Sequence, residues 1–231
     1  MRALGIFAKQ PTPGAVKTRL ARDIGNAAAT AFYEACLNDL VERFAATADW
    51  RCVGYAPQTH EAATYFQKLV DGRYQLWPQP DGDLGRRIEA FFTATIPEAD
   101  GDQPMHAVLI GSDSPTLPTT LIEAALVALE RTDVVLGPAA DGGYYLIGAR
   151  GCPRGWLSGV RWSTPWTLAD TVDAAERHGL SLSLLPVWYD IDTADDLAAM
   201  WGHLRGQRAA DPKMAVTRCE AWLSEWIKTR S

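Results

Sequence analysis

Short apolar runs alternate along this chain with longer stretches in which apolar residues recur at helical spacing. Short apolar runs bounded by turn residues are typical of strands that are buried in a sheet. The sequence predicts strands at Ala3–Ala8, Cys52–Tyr55, Gln75–Trp77, Ala107–Ile110, Val134–Gly137, Tyr144–Gly148 and Leu182–Leu185.

The stretches between these runs have the period of a helix. Within Asn26–Ala48, the residues Phe32, Cys36, Leu40 and Phe44 recur every fourth position, which places them on one face that packs on a core. Strands that alternate with helices predict an α/β fold with a mostly parallel sheet, whose ligands bind beyond the carboxyl ends of the strands. Further helices are predicted from Pro118 onward and over His60–Leu69, Leu84–Thr95, Trp166–Arg177, Ala194–Arg205 and Ala215–Lys228.

The composition is that of one globular domain. Of the 231 residues, 47% are hydrophobic and 22% are charged, which supplies a sizeable core and excludes a disordered chain. No internal repeat or low-complexity tract interrupts the pattern. The stretch Arg205–Pro212 is the best candidate for a flexible joint. The sequence therefore predicts a single domain over residues 1–205 and an extension over residues 206–231 that carries the last amphipathic helix.

The overall charge argues against nucleic acid as a partner. The formal net charge is -6 and the pI is near 5.2, so any basic surface has to be local. No apolar run approaches the roughly 20 residues of a membrane span, and the first run ends at Lys9, short of a secretory signal. We expect a cytoplasmic protein with no membrane span.

The cysteines and histidines do not form a metal-binding or disulfide pattern. The chain has no C-x-x-C pair, and its histidines do not cluster near its cysteines. We expect reduced and mostly packed thiols at Cys36, Cys52, Cys152 and Cys219.

A basic loop, Lys9–Leu20, follows the first predicted strand. Residues 1–22 contain five Lys and Arg side chains and no acidic one, in a chain with 28 acidic and 22 basic residues. A basic strand-to-helix loop suits an anionic ligand such as a diphosphate. It is not a Walker A loop, because Val16 stands where that motif has the glycine before its lysine. A solvated basic turn is the alternative interpretation.

A carboxylate, Asp113, follows the predicted strand Ala107–Ile110 in the loop Gly111–Pro115. A carboxylate at the end of a buried strand can hold Mg²⁺ or Mn²⁺ that also bridges substrate phosphates. A turn or cap aspartate is the alternative. Asp113 occupies the central position of the nucleophile-elbow pattern, which argues against a serine hydrolase.

Two acidic loops and one aromatic loop lie further along the chain. The paired glycines of Asp141–Gly143 let the backbone approach a ligand closely, although a plain turn explains them too. Asp190 and Asp192 precede the helix cap at Thr193 and are free to meet a metal, with capping as the alternative. The loop Trp162–Trp166 offers stacking surface for a sugar or base, although core filling is the commoner use of Trp.

Six motifs in this order resemble one bacterial family. They are similar to the glycosyltransferase-A-like group labelled arsenosugar-biosynthesis-type glycosyltransferases. That group is itself similar to small guanylyltransferases of the molybdenum-cofactor and phospholactate type. The motifs span about residues 3–200, nearly the whole chain apart from the terminal helix. They are Phe7–Leu20, Gly82–Arg87, Gly111–Pro115, Leu136–Gly148, Trp162–Thr164 and Asp190–Thr193.

The resemblance implies a nucleotide-diphosphosugar-transferase fold, a three-layer sandwich around a mostly parallel mixed sheet. It places the nucleotide in the amino-terminal half and the acceptor in the other half. Asp113 takes the place of the metal-binding D-x-D aspartate of glycosyltransferases. Because only one carboxylate is available there, either Asp192 is the second ligand of Mg²⁺ or Mn²⁺ or phosphate and water hold most of the metal. The residues expected to bind the nucleotide phosphates are Lys9, Gly14, Lys17, Thr18 and Arg19.

The expected catalytic residues are Asp113 and Asp141. Asp113 would hold the metal that stabilises the leaving group, and Asp141 would orient or deprotonate the acceptor hydroxyl. The backbone of Gly142 and Gly143 and the ring of Trp162 are expected to contact the substrate.

The leading hypothesis is a metal-dependent transferase that moves a sugar from a nucleotide diphosphosugar to a small-molecule acceptor. Nucleotidyl transfer from an NTP, with pyrophosphate as the leaving group, is the main alternative, since the same loop and metal serve both reactions. Nucleotidyltransferases usually carry a longer Gly-rich opening loop than this one, in which Gly14 stands alone, and this favours sugar transfer. A non-catalytic nucleotide-sugar-binding module is the third interpretation. The sequence leaves monomer and homodimer open.

Overall fold

The structure of this protein, a computed structural model, describes residues 1–96, 105–151 and 155–229. Strands and helices alternate along most of the described chain. In order, the elements are β1 (Arg2–Lys9), α1 (Thr18–Ile24), α2 (Asn26–Arg43), β2 (Trp50–Ala56), α3 (His60–Val70), β3 (Gln75–Pro78), α4 (Leu84–Thr95), β4 (His106–Ile110), α5 (Thr119–Ala128), β5 (Val134–Pro138), β6 (Tyr144–Ala149), α6 (Thr167–Arg177), β7 (Leu182–Leu184), α7 (Ala194–Ala210) and α8 (Arg218–Lys228).

The strands form one mixed sheet of seven strands in the order β3-β2-β1-β4-β6-β5-β7. Strands β1 to β4 pair in parallel, β6 is antiparallel to both of its neighbours, and β5 pairs in parallel with β7. Among the described strands, β6 alone is reversed, so the other six end at one edge of the sheet. This carboxyl edge is where open α/β sheets bind their ligands.

Helices cover both faces of the sheet because the side chains of its strands alternate between two cores. On β1, Leu4 and Ile6 enter the core under α2, α3 and α5, whereas Ala3 enters the core under α4 and α6. This alternation is the geometry of a strand, in which successive side chains point to opposite faces. The result is a three-layer sandwich.

A third apolar cluster joins α1, α2, α7 and α8. The rings of Phe32 on α2 and Trp222 on α8 pack with their centroids 5.1 Å apart. Arg208 near the end of α7 donates to both carboxylate oxygens of Glu220 on α8, at 2.8 and 2.7 Å. The terminal helix therefore packs on the body of the protein, on its α2 side.

The predicted α/β class with a mostly parallel mixed sheet is confirmed, and each predicted strand and helix is present. Three predicted helix boundaries are wrong. Helix α8 begins at Arg218 and not at Ala215, because Thr217 caps it by accepting from the Glu220 N–H. Helix α2 ends at Arg43 and not at Ala48, because Phe44 continues the apolar spacing as a buried residue of the turn into β2. Helix α7 continues past Arg205 to Ala210, since the stretch between them contains no proline. The flexible joint predicted at Arg205–Pro212 is therefore wrong over the part that α7 occupies, whereas the division of the chain at residue 205 stays a prediction.

Two predictions about the chain as a whole can be compared with the structure. Cys36, Cys52 and Cys219 are free and buried, as expected, whereas Cys152 lies outside the described residues. Among the helices that the structure describes, none combines the length and the apolar character that crossing a membrane requires.

Candidate active site

The basic loop leaves β1 at the carboxyl edge of the sheet and enters α1 through Lys17. Gly14 in this loop has a φ of 80°, and Lys17 has the left-handed values φ 46° and ψ 45°. A lysine in this region is strained, and such residues persist where the surrounding structure holds them. The side chain of Lys17 is only 3% exposed. The backbone turn therefore directs this lysine into the protein and away from solvent.

The Lys17 ammonium group joins the loops that follow β1, β4 and β7. Its Nζ lies 2.5 Å from Asp113 Oδ1 and 3.6 Å from Asp192 Oδ1, and it donates to the Ile191 carbonyl at 2.7 Å. Burial alone would lower the pKa of Lys17, but the charges of Asp113 and Asp192 raise this pKa above its ordinary value. The amine is therefore charged at neutral pH.

The other contacts of the basic loop connect it to the rest of the edge. Arg19 is 62% exposed, and its Nη1 donates to Asp192 Oδ2 at 3.1 Å. The Lys9 backbone N–H donates to the Tyr33 hydroxyl at 3.0 Å, and this hydroxyl lies 2.9 Å from Ser112 Oγ. Burial, together with the charge of Asp113, raises the pKa of Tyr33 to about 12. The hydroxyl of Tyr33 therefore ties the end of β1 to the loop after β4.

Asp190 adds a further carboxylate to the same edge. Its Oδ1 accepts a hydrogen bond from Ser114 Oγ. Burial raises the pKa of Asp190 to about 6; the Ser114 hydrogen bond opposes this shift, and the charges of Asp113 and Asp141 add to it. The loops that carry these three carboxylates therefore lie close enough for their charges to interact.

A cavity of about 570 Å³ lies at this edge. Five of the predicted site residues line it: Lys9, Lys17, Thr18, Asp113 and Asp192. A cavity of this size with an apolar wall and a few convergent polar groups is typical of a small-molecule site. The apolar wall includes Phe7, Leu84, Ile88, Leu109, Tyr144 and Ile147.

The other predicted site residues lie outside the cavity wall. Within the described ranges, the lining residues do not include Gly14, Arg19, Asp141, Gly142, Gly143 or Trp162. Arg19 still contacts the lining residue Asp192, and Asp141 still affects the pKa of Asp190. The roles predicted for these six residues are therefore roles at the margin of the site and stay predictions.

The glycine pair after β5 packs against protein backbone. A Cβ on Gly142 would lie 2.3 Å from the Pro165 carbonyl oxygen, and the φ of Gly142 is 88°. The Gly142 carbonyl accepts from the Leu168 N–H at 2.9 Å, and Asp141 Oδ1 accepts from the Gly143 N–H at 2.9 Å. The close approach that requires glycine at position 142 is made by the segment at Pro165.

Trp162 packs on helix α4. A Cβ on Gly85 would lie 2.6 Å from the indole ring, and the ring meets Tyr144 edge to face with centroids 6.4 Å apart. The indole therefore supports the start of α4, which carries Leu84 and Ile88 of the apolar wall, and the ring of Tyr144, which belongs to the same wall.

Two polar residues of the cavity were not singled out by the sequence patterns. Gln79 is 6% exposed, and its Nε2 donates to the carbonyls of Gly54 at 2.6 Å and Ala8 at 3.3 Å. Arg87 lines the cavity, and its Nε is buried without a hydrogen-bond partner in the described part of the chain. A signal for Arg87 was present in the motif Gly82–Arg87, because two arginines at the start of a helix oppose its macrodipole.

The predicted metal ligands Asp113 and Asp192 converge on one positive centre, the Lys17 ammonium group. Across residues 1–96, 105–151 and 155–229, no three or more His, Cys, Asp and Glu side chains are arranged to hold a metal ion. Mg²⁺ is usually bound by one or two carboxylates and completes its shell with water and substrate phosphates. The number of carboxylates matches this usual share, and the metal role of Asp113 and Asp192 stays a prediction.

One bacterial protein family matches the sequence of this chain. The model of the bacterial family described as "Uncharacterized protein conserved in bacteria (DUF2064)" matches residues 40–164, more than half of the chain. No curated protein sequence matches the chain.

Solved structures resemble the chain over most of its length. A provisionally named nucleotide-diphospho-sugar transferase from Desulfovibrio desulfuricans G20 has 31% identity and a TM-score of 0.85, covering 97% of this chain and 94% of that one. A nucleotidyl transferase from Methanothermobacter thermautotroptrophicus has 16% identity and a TM-score of 0.58, covering 89% and 99%. A Mycobacterium tuberculosis H37Rv protein in complex with manganese has 15% identity and a TM-score of 0.50, covering 87% and 98%. The predicted nucleotide-diphosphosugar-transferase fold is confirmed.

Proposed function

The chain belongs to the DUF2064 family, and from that premise we propose that it is a transferase that uses a nucleotide-activated substrate. The proposed reaction moves a sugar from a nucleotide diphosphosugar to a small-molecule acceptor. The observation that carries the proposal is the buried, charged Lys17 between two carboxylates on the wall of a cavity of about 570 Å³. The name of the relative that is 31% identical supports the same class of substrate.

In this proposal the diphosphate of the donor lies against the basic loop. Lys9, Lys17 and Thr18 line the cavity and would neutralise and hydrogen-bond the phosphate oxygens. Arg19 would add charge from the exposed margin, and Gly14 would allow the loop its turn. The apolar wall would take the flat or apolar parts of the donor.

Asp113 and Asp192 would hold Mg²⁺ or Mn²⁺ in this reaction. The metal would neutralise the charge that develops on the leaving diphosphate. Two observations support this part of the proposal: both carboxylates converge on one cation, and a protein of the same fold was solved with manganese.

Asp141 is the proposed group that orients or deprotonates the acceptor hydroxyl. It is exposed on the loop after β5, and its charge acts on the half-buried Asp190. An Asp141→Asn variant should therefore lose turnover while it keeps its affinity for the donor. Gly142, Gly143 and Trp162 would shape the acceptor side through the loop and helix that they hold in place.

The test is a panel of nucleoside diphosphates, nucleoside triphosphates and nucleotide sugars, titrated calorimetrically in Mg²⁺, Mn²⁺ or chelator, with products identified by mass spectrometry. Release of a nucleoside diphosphate from a nucleotide sugar supports sugar transfer. Release of pyrophosphate from a triphosphate identifies nucleotidyl transfer instead, and binding without turnover identifies a binding module. Binding of none of these ligands under any of the three conditions overturns the proposal.

A further inference from the structure

Arg87 is a cation on the cavity wall to which the proposed reaction assigns no role. It lies at the start of α4, four residues after the cap Asp83. Its Nε is buried and has no hydrogen-bond partner among the described residues. In the same part of the chain, no carboxylate lies within ion-pair distance of its guanidinium group. Buried donors without an acceptor are rare in native proteins, so this one needs a physical explanation.

Arg87 lies near the amino end of α4 and adds to the positive potential at that end of the helix. The first turn of α4 contains no acidic residue, and Asp83 caps it by accepting from the Arg86 N–H at 2.8 Å. The amino end of a helix carries partial positive charge, so it favours an anion and disfavours an arginine. An arginine that points along this end into a cavity therefore adds to a potential that already attracts anions.

Arg87 and Lys17 approach the cavity from opposite faces of the sheet. Ile88, next to Arg87, packs in the core under α4 with Leu109. Val16, next to Lys17, packs in the core on the other face. The end of β1 lies between these two faces and also lines the cavity. The cavity therefore has a cation on each side of the sheet edge.

We propose that Arg87 binds a second oxyanion of the substrate, a phosphate or a carboxylate, opposite the anion at Lys17. Arginine has five N–H donors in a planar fork and no acceptor, and the fork matches the paired oxygens of an oxyanion. The ligand of this cavity then carries negative charge toward both Lys17 and Arg87, which fixes its direction across the sheet edge. This inference rests on the proposed function in that it uses the same cavity.

Arg86 provides a matched control for the test. It lies next to Arg87 on the same helical turn, is exposed, and does not line the described cavity wall. Arg87→Gln and Arg86→Gln remove the same charge from the same helix. Affinities are measured by calorimetry for inorganic phosphate, pyrophosphate, a nucleoside, its mono- and diphosphate, and a nucleotide sugar with a carboxylate on the sugar. Circular dichroism and thermal unfolding verify that both variants are folded.

We expect Arg87→Gln to weaken at least one oxyanion-bearing ligand by about tenfold or more, and Arg86→Gln to change each affinity by less than about threefold. Arg87→Lys should recover part of the loss, because it restores the charge without the fork. If Arg87→Gln binds the nucleoside normally but its mono- or diphosphate more weakly, the oxyanion that Arg87 binds is a phosphate. A loss confined to the carboxylate-bearing sugar identifies a carboxylate.

The failure of this inference differs from the failure of the proposed function. If the wild type binds nucleotides and Arg87→Gln binds every ligand equally well, the role of Arg87 is overturned and the proposed function stays intact. Arg87-dependent binding of pyrophosphate or phosphate, with no nucleotide bound by the wild type, supports Arg87 as an oxyanion residue and overturns the proposed function.

Discussion

Two pairs of loops at the carboxyl edge of the sheet contrast in what their polar groups contact. In the first pair, after β1 and β4, Lys17 and Asp113 contact each other and also line the cavity. In the second pair, the loop after β5 and the segment before α6, Gly142 packs against Pro165 and neither residue lines the cavity in the described structure, although the uncharged Ser163 of the same segment does. Both pairs stand out in the sequence, but only the first presents its charges to a space where a ligand fits.

The segment before α6 is held by polar contacts with α6 itself. Arg161 donates to both carboxylate oxygens of Asp170 at 2.8 Å, and its guanidinium group lies 5.0 Å from the centre of the Trp166 ring. A motif whose polar groups are satisfied by other parts of the same protein shapes a loop. A motif whose charges face a cavity is equipped to bind something else.

The largest expected effect is a loss of protein stability when the contact between Gly142 and Pro165 in the second pair of loops is disturbed. Gly142→Ala should lower the free energy of unfolding by about 3 kcal/mol, because the new Cβ would meet the Pro165 backbone and the φ of 88° strains an alanine. Urea unfolding measures the loss. Gly143→Ala is the control, since its Cβ would meet only the Asp141 side chain, at 3.1 Å, and it should cost less than about 1 kcal/mol. Equal losses in the two variants would show that the contact with Pro165 is unimportant.

The next effect belongs to the first pair. Lys17→Met should cost about 2 kcal/mol of stability, because it leaves Asp113 and Asp192 without their shared cation; their exposure of 52% and 35% keeps the cost below that of a buried pair. It should also weaken the binding of any nucleoside diphosphate. Thermal unfolding and calorimetry measure both effects. Arg19→Gln changes an exposed partner of Asp192 and should cost less than about 0.5 kcal/mol. A Lys17→Met variant that binds and unfolds like the wild type would show that Lys17 neither stabilises the two carboxylates nor binds the diphosphate.

A smaller effect depends on pH. Because the folded protein raises the pKa of Asp190 to about 6, it binds more protons than the unfolded chain between about pH 4 and 6, so this group makes stability fall as pH rises through that window. Asp190→Asn keeps an acceptor for Ser114 and should gain about 1 kcal/mol at pH 8 and almost nothing at pH 4. Unfolding curves at the two pH values measure the difference. A gain of the same size at both would rule out ionisation of Asp190 as its cause, and exposed Asp195→Asn should show no gain at pH 8.

The smallest effect should come from Arg161→Gln. The Arg161–Asp170 pair holds both oxygens of the carboxylate, but it lies at the surface, where ion pairs contribute little. We expect a fall in Tm close to the scatter of the measurement and unchanged affinity for every nucleotide. A clear loss of nucleotide affinity in this variant would show that a charge of the second loop pair takes part in nucleotide binding and would remove the contrast between the two regions.

The order of strands and helices and the positions of the main charged loops could be predicted from local sequence patterns. Apolar periodicity is a local property, and turn residues mark its limits, so the strand at Ala107–Ile110 and the helix at Leu84–Thr95 could be predicted from neighbours in the chain. The same reasoning placed Asp113 at the end of a buried strand. Prediction from apolar periodicity fails at Phe44, where the apolar spacing continues after the helix has ended.

The tertiary structure alone decided which of these groups satisfy each other and which face the cavity. Lys17 meets Asp113 and Asp192 because β1, β4 and β7 end at one edge, and Gly142 meets Pro165 because two loops cross there. Arg87 Nε has no hydrogen-bond partner in the described structure, and its helix covers the face of the sheet opposite to Lys17. Such pairings join residues far apart in the chain, and a side chain's hydrogen bonds and charge depend on what the fold brings beside it, which local sequence does not encode.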